Sequence, residues 1–150
     1  MNFYKIRAFL FISVTRLLGK ILVLEVPPVL SVSAVIEKDG KILFLDHTYI
    51  KGYGLPGGMV KPRENIESAL EREIKEETGL GVVSKKYFTS TATIYKNIPL
   101  LSVTFIVTTS GLEKESSEGK LFWLTPGEAL KRMAYPDTGV ALKKYIERTI

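Results

Sequence analysis

The sequence predicts a single α+β domain preceded by a short appendage, and three observations carry that expectation. Two β-rich runs, Ser31 to Glu37 and Lys41 to Leu45, are joined through Asp39-Gly40, a pair suited to the positive φ angles of a tight hairpin. A glycine-rich turn at residues 54 to 58 leads into a helical pattern that begins near Asn65 and stops at Gly79. Two further helical segments close the chain. The 150 residues, 45% hydrophobic and 25% charged, suit one ordinary core and exclude disordered, fibrous and membrane-spanning classes.

From the N-terminus, Phe3, Ile6, Leu10, Val14, Leu17, Leu18 and Ile21 recur at helical spacing, which predicts a helix over residues 3 to 18 ended by Gly19. Its basic start resembles a secretory leader, but Arg16 and Lys20 interrupt the pattern and no Ala-x-Ala cleavage site follows. The apolar run is far shorter than the roughly 20 residues that span a bilayer. The expectation is therefore a cytoplasmic protein whose residues 1–30 form an amphipathic appendage and whose residues 31–150 form the working domain. The appendage reads first as a segment docked on its own domain or on a second subunit, so a homodimer is in view. Contact of residues 3–20 with an anionic membrane surface is the competing reading.

Ile21 to Val26 reads as a strand that Pro27-Pro28 closes. Later strands are expected at Tyr87 to Tyr95 and Leu100 to Thr108, flanking a turn at Asn97-Ile98-Pro99, and at Lys120 to Leu124. Thr125-Pro126-Gly127-Glu128 has the spacing of a capping box with proline at the first helical position. The last helix is expected from about Thr138 to Arg148. The polar stretch Gly111 to Gly119 reads as a mobile loop.

Cysteine is absent and His47 is the only histidine, which removes disulfides, thiolate metal sites, cysteine nucleophiles and multi-histidine metal sites. The net charge of +5 favours acidic partners, yet it is unevenly spread. Residues 1 to 30 hold four bases against one acid, and residues 58 to 80 hold four bases against six acids. A basic protein thus contains one acidic island.

That island lies on the helix after the glycine turn. At about 100° per residue, Glu73 and Glu77 fall within roughly 20° of Ile66 and Glu76 within roughly 80°, whereas Ser68, Glu71, Arg72 and Lys75 occupy the far side. Three carboxylates therefore adjoin the buried stripe, where a merely solubilising run would point away from it. Their mutual repulsion at i, i+3 and i+4 is relieved by a bound divalent cation, and all-oxygen ligation suits Mg²⁺ or Mn²⁺.

Gly58, Glu64, Arg72, Glu73, Ile74, Glu76, Glu77, Gly79 and Leu80 fill every specified position of the Nudix box, Gly-x5-Glu-x7-Arg-Glu-U-x-Glu-Glu-x-Gly-U with U aliphatic. Chance would produce this match with a probability on the order of 10⁻⁷ or less. In these residues the chain resembles the Nudix hydrolases. The resemblance implies an α/β/α sandwich around a mixed sheet, with the box as a catalytic loop, helix and loop, and divalent-metal hydrolysis of a nucleoside diphosphate linked to another group. It further implies that Glu73, Glu76 and Glu77 ligate metal, that the Gly58 carbonyl joins them, and that Arg72 orients carboxylates including Glu64. Relatives often add an acid from a later loop; Glu118 is the candidate here, with Glu115 behind it.

The substrate is a nucleotide on this reading, without further identity. Tyr53, together with Tyr49 or Tyr95, is placed to stack on a base, and Lys51, Lys61 and Arg63 flank the glycine turn where phosphate would lie. For the tyrosines packing is at least as good an account, for the three basic residues plain surface exposure is the better one, and His47 reads as a strand-end or loop residue. Two competitors remain: a Nudix-like domain that senses a nucleotide without cleaving it, and an RNA-directed, decapping-type enzyme. The intact glutamate set disfavours the first. The second lacks an arginine-rich run or an interleaved aromatic and basic stripe, so no stable nucleic-acid partner is expected.

Overall fold

The computed structural model describes residues 13, 14, 17, 27–48 and 51–149. The helix expected over 3 to 18 lies outside them except at positions 13, 14 and 17, which are helical, and so do the strand expected at 21 to 26 and Tyr49. The elements are β1 (Val29–Val35), β2 (Glu37–Lys38), β3 (Lys41–His47), β4 (Tyr53–Gly54), β5 (Gly57–Met59), α1 (Ile66–Thr78), β6 (Gly81–Tyr95), β7 (Ile98–Ser110), β8 (Gly119–Leu124), α2 (Pro126–Leu130) and α3 (Pro136–Thr149).

Alternation of side chains along the strands builds the layers. Ala34 and Ile36 from one side of the first run, with Leu43 and Phe105, pack against Ala69, Leu70 and Ile74 of α1. Val35, Ile42 and Phe44 turn the other way, onto Ala129 of α2 and Ala141, Leu142 and Tyr145 of α3. The result is the α+β sandwich, with α1 on one side and α2 and α3 on the other. One sheet has the order β5-β1-β7-β6 and is mixed, because β1 runs parallel to β7 from Val29↔Leu100 to Val35↔Ile106 while its other pairings are antiparallel. In the second sheet β3 pairs antiparallel with β2, β4 and β8.

The hairpin at Asp39-Gly40 forms with φ of 52° and 74°, as two-residue turns of this hand require. The turn between β6 and β7 falls one residue earlier than expected, at Lys96-Asn97 (φ 50° and 63°), and Pro99 lies within β7 opposite Ile94. Proline is tolerated there because the position is close to a strand end; asparagine's tolerance of positive φ sets the turn. Both strands extend beyond the expected limits, β6 starting at Gly81 directly after α1.

Helix α3 is tied to the β2 edge by Tyr145, whose hydroxyl donates to Glu37. Burial, reinforced by that bond, pushes the phenol up to about 12 from its ordinary 10.0. A raised folded-state value means that the contribution is fully present below pH 10 and is lost as pH rises through about 12. Tyr145→Phe is expected to lower stability by about 1 kcal/mol at neutral pH. Denaturant titration checks this, and the variant should lose its share of alkaline destabilisation.

Candidate functional site

Helix α1 is fixed at both ends by its own sequence. Asn65 Oδ1 accepts from the Ser68 amide at 2.7 Å, and Gly79, at φ 74°, ends the helix by donating its amide to the Lys75 carbonyl at 3.1 Å. The apolar stripe Ala69, Leu70 and Ile74 presses on the sheet, which fixes where the acidic residues beside it emerge. Glu77 is buried at 2% exposure and its Oε2 accepts from the Gly57 amide at 2.8 Å. The Glu73 side chain is 14% exposed and that of Glu76 56%. The wheel placed these three beside the buried stripe with Glu76 farthest from Ile66, and Glu76 is the most exposed of them.

Arg72 joins this face to the preceding loop. Its Nε and Nη2 donate to the two oxygens of Glu64 at 2.7 and 2.8 Å, a bidentate fork. Nη1 reaches Glu73 Oε1 at 2.5 Å and Glu76 Oε2 at 3.5 Å, and Nη2 also donates to the Met59 carbonyl at 3.2 Å. Glu64 Oε2 takes a further bond from the Lys61 amide at 2.9 Å, closing the loop on itself. These hydrogen bonds, the one from Arg72 foremost, hold the Glu64 carboxyl at about 2, and Arg72 is raised in return. Glu64's contribution to stability is therefore present above pH 4.5 and lost as pH falls through about 2.

Glu73 shows the opposite tendency. Burial raises its pKa first; Arg72 opposes this, and the negative charges of Glu76 and Glu118 push it further up. That mutual repulsion places Glu118, from the loop before β8, within the field of the α1 carboxylates. Glu115 lines a cleft with Lys75, Glu76 and Gly79.

The glycine turn supplies close approach. A Cβ on Gly57, at φ 151°, would sit 2.1 Å from the Val32 carbonyl oxygen, and one on Gly58 would sit 2.6 Å from the Glu73 carboxyl carbon. Gly58 thus brings its backbone against Glu73. Gly58→Ala is expected to displace that carboxylate, costing about 1–3 kcal/mol in stability. Thermal denaturation reads the cost, and activity should fall further than stability explains, because the Glu73 carboxylate has moved.

Of the residues expected at substrate, Tyr53 is half-buried, contacts Phe44 and Phe122, and carries Arg132 over its ring at 5.2 Å. Tyr95 contacts the Tyr135 ring, 5.4 Å between centroids. Lys61 lies 4.0 Å from Glu76 and thus at the acidic face. Lys51 and Arg63 are exposed and form no ion pair among the described residues. His47 ends β3 and packs edge-on against Tyr135, as the strand-end reading has it. Sequence reasoning passed over the Met59 carbonyl and the Lys61 and Gly57 amides, which carry no residue-type signal because they act through the backbone.

The donor chemistry at this face is all oxygen, from Glu73, Glu76, Glu77 and the Gly58 backbone, which fits a hard divalent cation. Among the described residues no three acidic or histidine side chains already converge on one point. Arg72 holds the Glu73 carboxylate and neutralises it, and Glu76 is exposed enough to turn inward.

Residues 27–145 match the family model described as the NUDIX domain. The chain is 35% identical over 115 residues to a MutT-like protein of Streptomyces ambofaciens, covering 72% of each. It is 50% identical over 56 residues to an ADP-ribose pyrophosphatase of Methanocaldococcus jannaschii, covering 35% of this chain and 33% of that one. Among solved structures, the E. coli ORF135 protein superposes with a TM-score of 0.70 at 26% identity, over 81% of this chain and 90% of the other. No helix among the described residues is long and apolar enough to cross a membrane. The glutamate face, its arginine clamp and a family match over most of the chain agree, and the protein belongs to the Nudix hydrolase family as an enzyme of the pyrophosphohydrolase type.

Proposed function

We propose that this enzyme hydrolyses a phosphoanhydride bond in a nucleoside triphosphate or a nucleoside diphosphate derivative, with Mg²⁺ held at the α1 carboxylate face and Mn²⁺ able to replace it. The observation that carries the reading is the arrangement of Glu73, Glu76 and Glu77 on one face of α1, against the Gly58 backbone. A bound divalent ion supplies neutralisation of phosphate oxygens and lowers the pKa of the attacking water. In this reading the three glutamates and the Gly58 carbonyl hold that ion, joined by Glu118. Arg72 stays fixed by Glu64 and so keeps Glu73 in place. Lys61, beside Glu76, offsets negative charge where the phosphates enter. Lys51 and Arg63 are exposed and free to meet phosphate, while Tyr53 under Arg132 offers an aromatic face to the nucleoside. The cytoplasm, where nucleotide and Mg²⁺ are both abundant, is the compartment this chemistry suits.

A panel of nucleoside triphosphates and nucleoside diphosphate derivatives, incubated with Mg²⁺ and with chelator, tests the reading. Release of phosphate, pyrophosphate or nucleoside monophosphate from at least one of them, abolished by chelation, is the expected result. Tight nucleotide binding without turnover of any member would mean a sensor and overturn it.

A further inference from the structure

Two apolar surfaces lie beyond the two cores. The first is on the α1 side of the mixed sheet, at the end where β1 begins. Leu30, Leu101 and Ala92 form one row across β1, β7 and β6, two residues out from Val32 and Val103, which pack in the α1 core. Pro28, Pro99 and Ile94 extend it to the end of the sheet and, with Ala92 and Leu101, line an open apolar cleft. Ile94 is 71% exposed. A lone exposed apolar residue needs no account, but a contiguous apolar patch marks a place of contact.

The second surface is in the appendage. Residues 13, 14 and 17 are helical, and Val14 is 50% and Leu17 60% exposed. In the helix expected over 3 to 18, at about 100° per residue, Val14 and Leu17 share an arc of roughly 60° with Phe3 and Leu10, the centre of the apolar stripe. Lys5, Arg7 and Arg16 fall outside that arc, Arg7 on one side and the other two on the other. A segment docked on its own domain would bury this stripe, yet Val14 and Leu17 face outward. The chain itself links the two surfaces, because Pro28 lines the cleft and continues directly from the appendage. Charge gives both the same sign. Residues 1–24 hold Lys5, Arg7, Arg16 and Lys20 with no acid, and residues 81–112, which span β6 and β7, hold Lys85, Lys86 and Lys96 with no acid.

We propose that the apolar stripe around Val14 and Leu17, together with the Ile94 end of β6, docks the protein on an anionic lipid surface. The appendage lies in the interface without crossing it: its apolar residues enter the acyl boundary while its bases meet the headgroup phosphates. Long lysine and arginine stems reach past the apolar arc to do so. A second copy of the chain would also cover apolar surface, but in a symmetric pair the same acid-free, basic segments would meet one another. An anionic surface turns that repulsion into attraction. The docking goes beyond the hydrolase reading and does not depend on it, since no α1 carboxylate takes part.

Sedimentation of the full chain with vesicles tests this, comparing phosphatidylcholine alone with an equal mixture of phosphatidylcholine and phosphatidylglycerol. Binding to the anionic vesicles is expected to be about 100-fold tighter or more, and to weaken about tenfold or more as salt rises from about 0.1 to about 0.5 M. Leu17→Glu should weaken it about tenfold or more and Ile94→Thr about threefold, with melting temperatures near that of the wild type because both positions are exposed. Arg16→Gln combined with Lys20→Gln reads the charge separately and should reduce the anionic preference about tenfold or more. Equal or absent binding to the two kinds of vesicle would overturn the proposal, as would wild-type affinity in Leu17→Glu, in Ile94→Thr or in the double variant. A strongly lowered melting temperature in Leu17→Glu would mean that the stripe docks on its own domain. A dimer seen by light scattering that Leu17→Glu splits, with no vesicle binding by the wild type, would mean that a second copy covers it. Either result overturns the lipid surface.

Discussion

Glu76→Gln is expected to lower Mg²⁺-dependent turnover by about 100-fold or more, since even partners one step removed from a metal alter affinity or activity by 10–100-fold. Stability should shift by no more than about 0.5 kcal/mol, because the side chain is 56% exposed and its nearest partner in Arg72 lies at 3.5 Å. This separation of chemistry from folding makes Glu76 the cleanest of the three positions. Glu77→Gln serves less well: at 2% exposure, with the Gly57 amide on its Oε2, that carboxylate also anchors the glycine turn. Steady-state kinetics at limiting Mg²⁺ beside a thermal melt reads both quantities. Near-normal turnover in Glu76→Gln would remove it from the metal set.

The second large effect is expected at Arg72, where charge alone is not enough. The guanidinium bridges Glu64, Glu73 and the Met59 carbonyl through a planar fork, and its side chain is 18% exposed. Lysine keeps the charge and cannot reproduce the fork. Arg72→Lys should therefore leave Glu64 or Glu73 under-paired in a partly buried site, costing about 2–3 kcal/mol, at the low end for breaking a buried pair. Activity should fall by about 10–100-fold, chiefly through weakened Mg²⁺ binding and so a higher Mg²⁺ concentration at half-maximal rate, since Glu73 loses its support. A variant with normal stability and an unchanged Mg²⁺ dependence would show that the clamp is a surface ion pair and nothing more.

The residues of α1 were legible in the sequence because helix geometry converts spacing directly into a face. Asn65 and Gly79 bound it as expected, and Glu73, Glu76 and Glu77 emerge beside Leu70 and Ile74 as the wheel requires. The layers followed equally, since alternation in residues 31 to 45 divides the two cores. Long-range partners were less visible. Nothing local in Tyr53 distinguishes a ring free to stack on a base from one in contact with Phe44 and Phe122, because those contacts depend on which strands become neighbours. The turn at Lys96-Asn97 was displaced by one residue because Pro99 reads as a breaker, yet it sits in the strand. The serines and threonines of β1, β6 and β7 did alternate in the sequence, at 31 and 33 and at 89, 91 and 93. In a single strand that pattern reads as a solvent face, and only the pairing of three strands and the cover of α3 turn it inward.

The claim on which the rest depends is that the α1 glutamates hold a divalent ion. Titrating Mn²⁺ into the protein, followed by water-proton relaxation, tests it without reference to any substrate. Binding that Mg²⁺ displaces, weakened about tenfold or more in Glu76→Gln and in Glu73→Gln, is the expected outcome. Equal Mn²⁺ affinity in the wild type and both variants would contradict it.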